Sequence, residues 1–412
     1  MLTSYSPVSI AEQILRLTQM YFNESSPHDD LLARHNAKND LQDLCNKLLQ
    51  AVLGRLEYTT LLAESCQESS ALGLISRLGV ADLIGDDSKT INELSEATGS
   101  DVNFLSIALS ALLKHNYFQE VGGFGARVYK NNELSNILRE DHPESVKDAV
   151  GFICDEGFKA TSYLLEASRP STNGGNRLPA VNLAFGFNKT IFEWMADQGW
   201  RGRRMGKAMQ QLHRMANGNV ITDYPWDQLV SPIVDVGGGI GSLELALLRQ
   251  PKNAALNFRI FDIPSTIENA KMTWAEQSQS TSSCVSFTSG DFLASTLDET
   301  QIPRGQPTYL IRHVLHDWDD NHVVTILSNV RQAMVAAPGP VFGARLVVCE
   351  MLLRYASARF VRTTSMQLLA LNNGITRSEI DMVELVERSG FKVTKVYHMR
   401  AADSIIEASP KI

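Results

Sequence analysis

Asp235-Val-Gly237-Gly-Gly239-Ile-Gly241 stands between an apolar run ending in Val236 and the helix-forming stretch SLELALLRQ. Glycines at alternate positions let a strand-to-helix turn close tightly and bring the backbone up to a ligand with no Cβ in the way. The helix that follows offers free N–H groups to a carboxylate or phosphate. A second chemical centre lies downstream at Arg312-His313-Val-Leu-His316-Asp317-Trp318-Asp319-Asp320. With strand alternation through TYLIR, His316 emerges at the C-terminal end of a strand, where ligands of open α/β sheets bind. A neutral imidazole there can take a proton from a hydroxyl, and a carboxylate behind it orients the ring and stabilises its charged form. Glu350, at the end of the next strand RLVVCEM, is placed for that role. Asp319 or Asp317 reads as the cap of the following helix, and His313 as a packed or solvent-facing histidine.

The glycine spacing separates two classes of cofactor. A dinucleotide fingerprint needs a third small residue at position 242, occupied by Ser242, whereas the DxGxGxG pattern closing at Gly241 is the version associated with S-adenosylmethionine. Asp262 ends the second strand about twenty residues downstream, where an acid can accept hydrogen bonds from both ribose hydroxyls. Asp291 and Phe292 end the third strand; they suit an adenine amino group and ring face, or are ordinary turn and core residues. No Walker-type GxxxxGK[ST] occurs.

These residues need a doubly wound, mostly parallel sheet to position them. From Ser231 onward, β-branched runs (IVDVGG, FRIFDI, VSFTSGD, TYLIRHVL, RLVVCEM, KVTKVYHM) alternate with stretches long enough for crossover helices. The last pair, KVTKVYHM and SIIEASP, is joined by a short loop and reads as antiparallel at one edge. The N-terminal half differs. Apolar residues recur at helical spacing from Ser9 to Leu62, ALGLISRLGVADLI ends near Gly85, and Thr90 with Glu93 forms a capping box. A third helix from Val102 to His115 leads into a hairpin around Gly122, Gly123 and Gly125. Three helices and a hairpin make a winged helix. The expected domains are therefore 1–140, helical and winged-helix-like, and 141–412, a Rossmann-like catalytic domain with a helical lead-in over 141–228. That lead-in contains a Ser/Asn/Gly/Pro-rich loop, SRPSTNGGNRLP, and a basic stretch, RGRRMGKAM, which reads as a solvated helix surface.

The composition narrows the classes. With 412 residues, 46 acidic against 38 basic, the chain carries a net charge of -8, which repels nucleic acid and anionic membrane unless basic residues cluster. The third helix of the winged helix is apolar over much of its surface with one Lys, so packing against another subunit fits it better than DNA. Five scattered cysteines without a CxxC pair indicate neither a disulfide framework nor a zinc site, and fit a reduced cytosolic compartment. No window reaches the roughly 18 apolar residues of a membrane helix, and no signal-peptide pattern opens the chain.

Taken together, ALGLISRLGVADLI, LKHNYFQEV, VDVGGGIG, FDIPSTIE, SGDF, RHVLHDWDD, VVCEM and LALNNGITRSE resemble, in order and spacing, the plant caffeic-acid-type O-methyltransferases and their fungal secondary-metabolite relatives. The likeness spans roughly Ala71 to Phe391. It implies S-adenosylmethionine on Gly237, Gly239 and Gly241, its ribose on Asp262, and its adenine against Asp291 and Phe292. Arg312 would be a further cofactor contact, His316 the general base, and Glu350 the first of two acids flanking that base. It also implies an intertwined homodimer acting on an apolar, aromatic or polyketide-like hydroxy compound. The chain departs from the family at Thr376, where the pattern Gly-x-Glu-Arg-Thr has its second acid. Two other readings stand beside this one. A pericyclase or related cyclase that keeps the cofactor is favoured by Thr376 and opposed by His316; a DNA-binding protein is opposed by the acidic balance and the intact glycine loop.

Overall fold

The change of apolar period near the middle of the chain has its counterpart in a computed structural model, which describes residues 6–22, 30–169, 177–336 and 343–411. Most of the Ser/Asn/Gly/Pro-rich loop, 170–176, lies outside the described residues. Two compact units form: Met1–Met215 with Ala370–Asn372, and Ala216–Leu369 with Asn373–Ile412. Most of the helical lead-in, expected with the sheet, thus packs in the first unit. Ala149, Phe152, Val181, Trp194 and Met195 of that lead-in bury one another in a core of their own.

In the first unit the helix Pro7–Tyr21 precedes a long helix, Leu31–Arg77, broken in direction at Gly54, whose φ of 72° is open to glycine at no steric cost. Helices Val80–Ile84, Ile91–Thr98 and Val102–Leu113 follow, the second opened by the Thr90/Glu93 capping box. Ile75 of the long helix and Leu94, Leu105, Leu109 and Leu112 of the helices after it are fully buried together, each contributing about 1.5–3 kcal/mol. Short strands β1 (Ser88–Thr90), β2 (Gln119–Glu120) and β3 (Val128–Lys130) form an antiparallel sheet of order β1-β3-β2. The basic stretch in the helix Gly199–Asn217 differs from expectation. Arg201 and Arg204 are turned inward against Asp155 and Glu156, Arg204 Nη2 donating to Asp155 Oδ2 at 2.8 Å, and both guanidinium groups lie over Trp200. Helical spacing alone cannot reveal partners more than forty residues away in sequence.

The second unit holds a seven-stranded sheet of β4 (Ile233–Val236), β5 (Phe258–Asp262), β6 (Val285–Ser289), β7 (Thr308–Arg312), β8 (Arg345–Met351), β9 (Phe391–His398) and β10 (Asp403–Pro410). The order is β6-β5-β4-β7-β8-β10-β9. Five strands run parallel, and β10 enters antiparallel to both β8 and β9. Every residue of β4 is buried, as expected of a strand covered on both faces. Val234, Val236, Tyr309, Ile311 and Val348 fill one face with the helix Asp320–Val335, while Ile233, Leu310, Val347 and Ile405 fill the other. The chain builds outward through β5 and β6, then returns to β7 on the far side of β4. That reversal opens a crevice at the carboxyl ends of β4 and β7, the place where open α/β sheets bind ligands.

Candidate active site

The glycine loop leaves β4 at this crevice. A Cβ at Gly237 would lie 2.4 Å from Val314 Cγ2, and one at Gly241 2.4 Å from Ile260 Cδ1, so both positions are closed to side chains. Gly239 faces open space instead, with a φ of 60°. Its N–H donates to Asp262 Oδ2 at 2.9 Å, and Ile263 N–H donates to Asp262 Oδ1 at 2.7 Å. Asp262 is thereby fixed at the end of β5 with lone pairs to spare for a diol. Asp291 is exposed and accepts from Leu293 N–H at 2.8 Å, and Phe292 meets Trp318 edge-on at 5.9 Å. These residues fit a nucleoside carrying an amino-acid tail: a Cβ-free cradle, an anchored acid for a diol, and an aromatic wall.

Beneath the loop, Asp235 is 3% exposed and Glu244, on the helix Ser242–Leu248, is 0% exposed. Burial pushes both pKa values up, and the neighbouring Glu244 charge pushes Asp235 further. Two buried carboxyls cannot both ionise at this range. Asp235 Oδ1 and both Glu244 oxygens have no hydrogen-bond partner among the described residues, and one proton held between the two side chains would serve two of those three oxygens.

Across the crevice, His316 Nδ1 lies 2.7 Å from Glu350 Oε2. Glu350, 1% exposed, also accepts from Val314 N–H at 3.0 Å and Leu315 N–H at 2.8 Å through Oε1. Burial would lower the His316 pKa, yet the charge and hydrogen bond of Glu350, with Asp317 and Asp403, push it up to about 9. An Nδ1–H given to Glu350 leaves Nε2 as the proton acceptor, with Asp317 Oδ1 at 3.5 Å. Arg312, at the end of β7, reaches Asp403 Oδ2 with Nη2 at 3.3 Å.

Asp319 caps the helix Asp320–Val335, accepting from His322 N–H at 3.0 Å, as its type predicts. Three further residues matter that sequence reasoning left without a role. Arg377, 4% exposed, donates from Nη1 to Leu315 O at 2.9 Å, from Nη2 to Trp318 O at 2.7 Å and from Nε to Asp320 Oδ1 at 2.8 Å, clamping the loop that carries His316. Ile375 N–H adds a bond to His316 O at 2.7 Å. Glu244 and Asp403 are the other two; a carboxylate in an apolar run is the only signal either gave. Thr376 Oγ1 is buried and meets no partner among the described residues, so the base is held at Nδ1 by Glu350, with no second acid at position 376.

Residues 169–392 match the O-methyltransferase domain family. The chain is 28% identical over 326 residues to the O-methyltransferase hasC of Aspergillus fumigatus, covering 78% of this chain and 71% of that one. The mitomycin 7-O-methyltransferase MmcR superposes with a TM-score of 0.70 at 25% identity, over 86% of this chain and 97% of its own. The human N-acetylserotonin methyltransferase, solved with S-adenosylmethionine, shares the fold at a TM-score of 0.69 and 20% identity, over 87% of this chain and 99% of that one.

Proposed function

Because the chain belongs to the O-methyltransferase domain family, we propose that its crevice holds S-adenosylmethionine on Gly237, Gly239, Gly241, Asp262, Asp291, Phe292 and Arg312, with His316 as general base. The protein is an S-adenosylmethionine-dependent O-methyltransferase acting on a hydroxyl of an aromatic or polyketide-like small molecule of secondary metabolism. The observation that carries the site assignment is the 2.7 Å contact between His316 Nδ1 and Glu350 Oε2, which leaves Nε2 to work. His316 Nε2 takes the acceptor's hydroxyl proton, and the resulting oxyanion is the nucleophile. When bound, S-adenosylmethionine supplies the methyl group on a sulfonium that leaves as a neutral thioether. Glu350 holds the imidazolium formed in that step, and Arg377 keeps the loop in place while it forms. The Glu350 carboxylate holds the His316 pKa above its ordinary value, and a sulfonium cation in the same crevice would oppose that rise by like-charge repulsion and favour the neutral ring that acts as base.

The test is incubation with methyl-labelled S-adenosylmethionine and a panel of phenolic and polyketide-type hydroxy compounds. Labelled methyl ether should accumulate with S-adenosylhomocysteine. His316→Ala should lose roughly a hundredfold or more in turnover with cofactor affinity nearly unchanged. Equal turnover in that variant removes His316 from the mechanism; tight cofactor binding with no labelled ether from any compound overturns the reading.

The same reading makes the N-terminal winged-helix-like part a dimerisation element rather than a DNA reader. Phe104 and Ile107, 67% and 72% exposed on the helix Val102–Leu113, support apolar packing against a second copy, and the net charge of -8 opposes nucleic acid. No helix of the described residues is long and apolar enough to cross a membrane, and a cytoplasmic homodimer is the form we assign.

A further inference from the structure

His313, read from sequence as packed or solvent-facing, repeats the design of its neighbour. Its Nε2 lies 2.8 Å from Asp403 Oδ1. Asp403, the first residue of β10, is 0% exposed, and its other oxygen faces Arg312 Nη2 at 3.3 Å and the Cys349 thiol at 3.6 Å. The peptide N–H of Asp403 is fixed by Asn217 Oδ1 at 2.9 Å. His313 itself adopts a φ of 54°, a left-handed conformation that costs a non-glycine residue about 1–2 kcal/mol and tends to persist where function requires it. Its side chain is 31% exposed against 13% for His316, and the two ring centroids are 5.6 Å apart. Two imidazoles, each backed by a buried carboxylate, therefore stand side by side at the crevice, His316 anchored through Nδ1 and His313 through Nε2.

We propose that His313 binds the acceptor, and that the acceptor carries two neighbouring oxygens, one methylated at His316 and the other hydrogen-bonded by His313. The proposal rests on the methyltransferase reading and specifies its substrate class: an ortho-dihydroxy or hydroxy-carbonyl aromatic. With Nε2–H given to Asp403, Nδ1 accepts from a hydroxyl; in the protonated ring it donates to a carbonyl oxygen. Nδ1 makes no bond of its own to the described residues. Rings at this separation can each reach a different oxygen of one planar molecule at hydrogen-bond lengths of roughly 2.7–3.0 Å.

The test compares 2,3-dihydroxynaphthalene with 2-naphthol, which differ by one hydroxyl, binding to the protein saturated with S-adenosylhomocysteine. The unmodified protein should hold the diol at least about tenfold more tightly by calorimetry. His313→Phe and His313→Asn should both bring the two ligands within about twofold of each other; asparagine accepts the left-handed backbone, so this variant guards against a folding defect. Unchanged S-adenosylhomocysteine affinity in both variants checks the rest of the site. In turnover the diol's KM should rise while its kcat stays within about threefold. An unmodified protein without preference for the diol, or a preference that survives either substitution, overturns the proposal. Methyl transfer to 2-naphthol by the unmodified protein stands or falls separately, so the methyltransferase reading is tested apart from this one.

Discussion

Burial by itself would make His316 a weaker base, and the Glu350 carboxylate, with smaller help from Asp317 and Asp403, reverses this, lifting the pKa from the ordinary 6.5 to about 9. A group whose pKa is raised on folding stabilises the fold below its unfolded pKa and loses that contribution as pH rises through the folded value. The His316–Glu350 contact thus contributes fully below about pH 6.5 and is gone above about pH 9, a change on the order of 3 kcal/mol. Titration of His316 by NMR in the cofactor-free protein should place its midpoint near 9, and Glu350→Gln should bring it back to or below the ordinary histidine range. An unshifted midpoint in the unmodified protein contradicts the pairing. His316 was legible from sequence because a histidine after a buried parallel strand has few other reasons to be there. Its partner's three hydrogen bonds were not, since two of them come from backbone N–H groups whose direction depends on how the loop turns.

At the scale of elements, two devices hold the crevice in shape. The segment Ile375–Arg377 fastens the His316 loop through three guanidinium bonds and one backbone bond. Arg377→Met should therefore lower kcat by about ten- to a hundredfold and lower stability by roughly 3 kcal/mol, because a buried cation's partners are left unpaired. A kcat that follows the unmodified protein's would show that the loop holds itself. The Asp235/Glu244 pair lies under the glycine loop with both pKa values raised. A raised carboxyl binds its proton more tightly when folded, so its unfavourable contribution grows as pH climbs above the unfolded carboxylate range. Glu244→Gln removes one charge of that pair and supplies a permanent donor. Its Tm, relative to the unmodified protein, should improve steadily from pH 5 to pH 8; a constant difference would mean the two carboxyls share no proton. Glycine spacing announced this loop, while Glu244 gave only the weak signal of a carboxylate in an apolar run, because a glutamate early in a helix ordinarily faces solvent and favours the helix N-terminus.

At the scale of the whole molecule, the helical N-terminal half leaves Phe104, Ile107 and Phe124 at 67%, 72% and 95% exposure, apolar surface that the proposed second copy would cover. Light scattering should return twice the chain mass of 45.6 kDa; Phe104→Glu with Ile107→Glu should shift it toward one copy without unfolding the sheet. A single-copy mass for the unmodified protein would remove the dimer. The division of the chain is where sequence reasoning and structure part. Residues 141–228 are expected from sequence as a helical lead-in to the sheet domain, yet Ala149, Phe152, Trp194 and Met195 bury one another in the first unit. Likewise the basic run at Arg201 and Arg204 looked solvated until Asp155 and Glu156 closed on it.

What the sequence by itself determined was whatever is encoded locally: the period of apolar residues that separates helix from strand, the glycines that a tight turn requires, and the acids and histidine at strand ends. Order and spacing of those signals carried the family as well. Only the tertiary structure decided the rest. Strand order placed the crevice between β4 and β7, and packing paired Asp235 with Glu244, Arg377 with the His316 loop, and His313 with Asp403 ninety residues away. Such pairings depend on which buried charges meet in a low-dielectric interior where none can remain alone, and no spacing rule along one chain reports that.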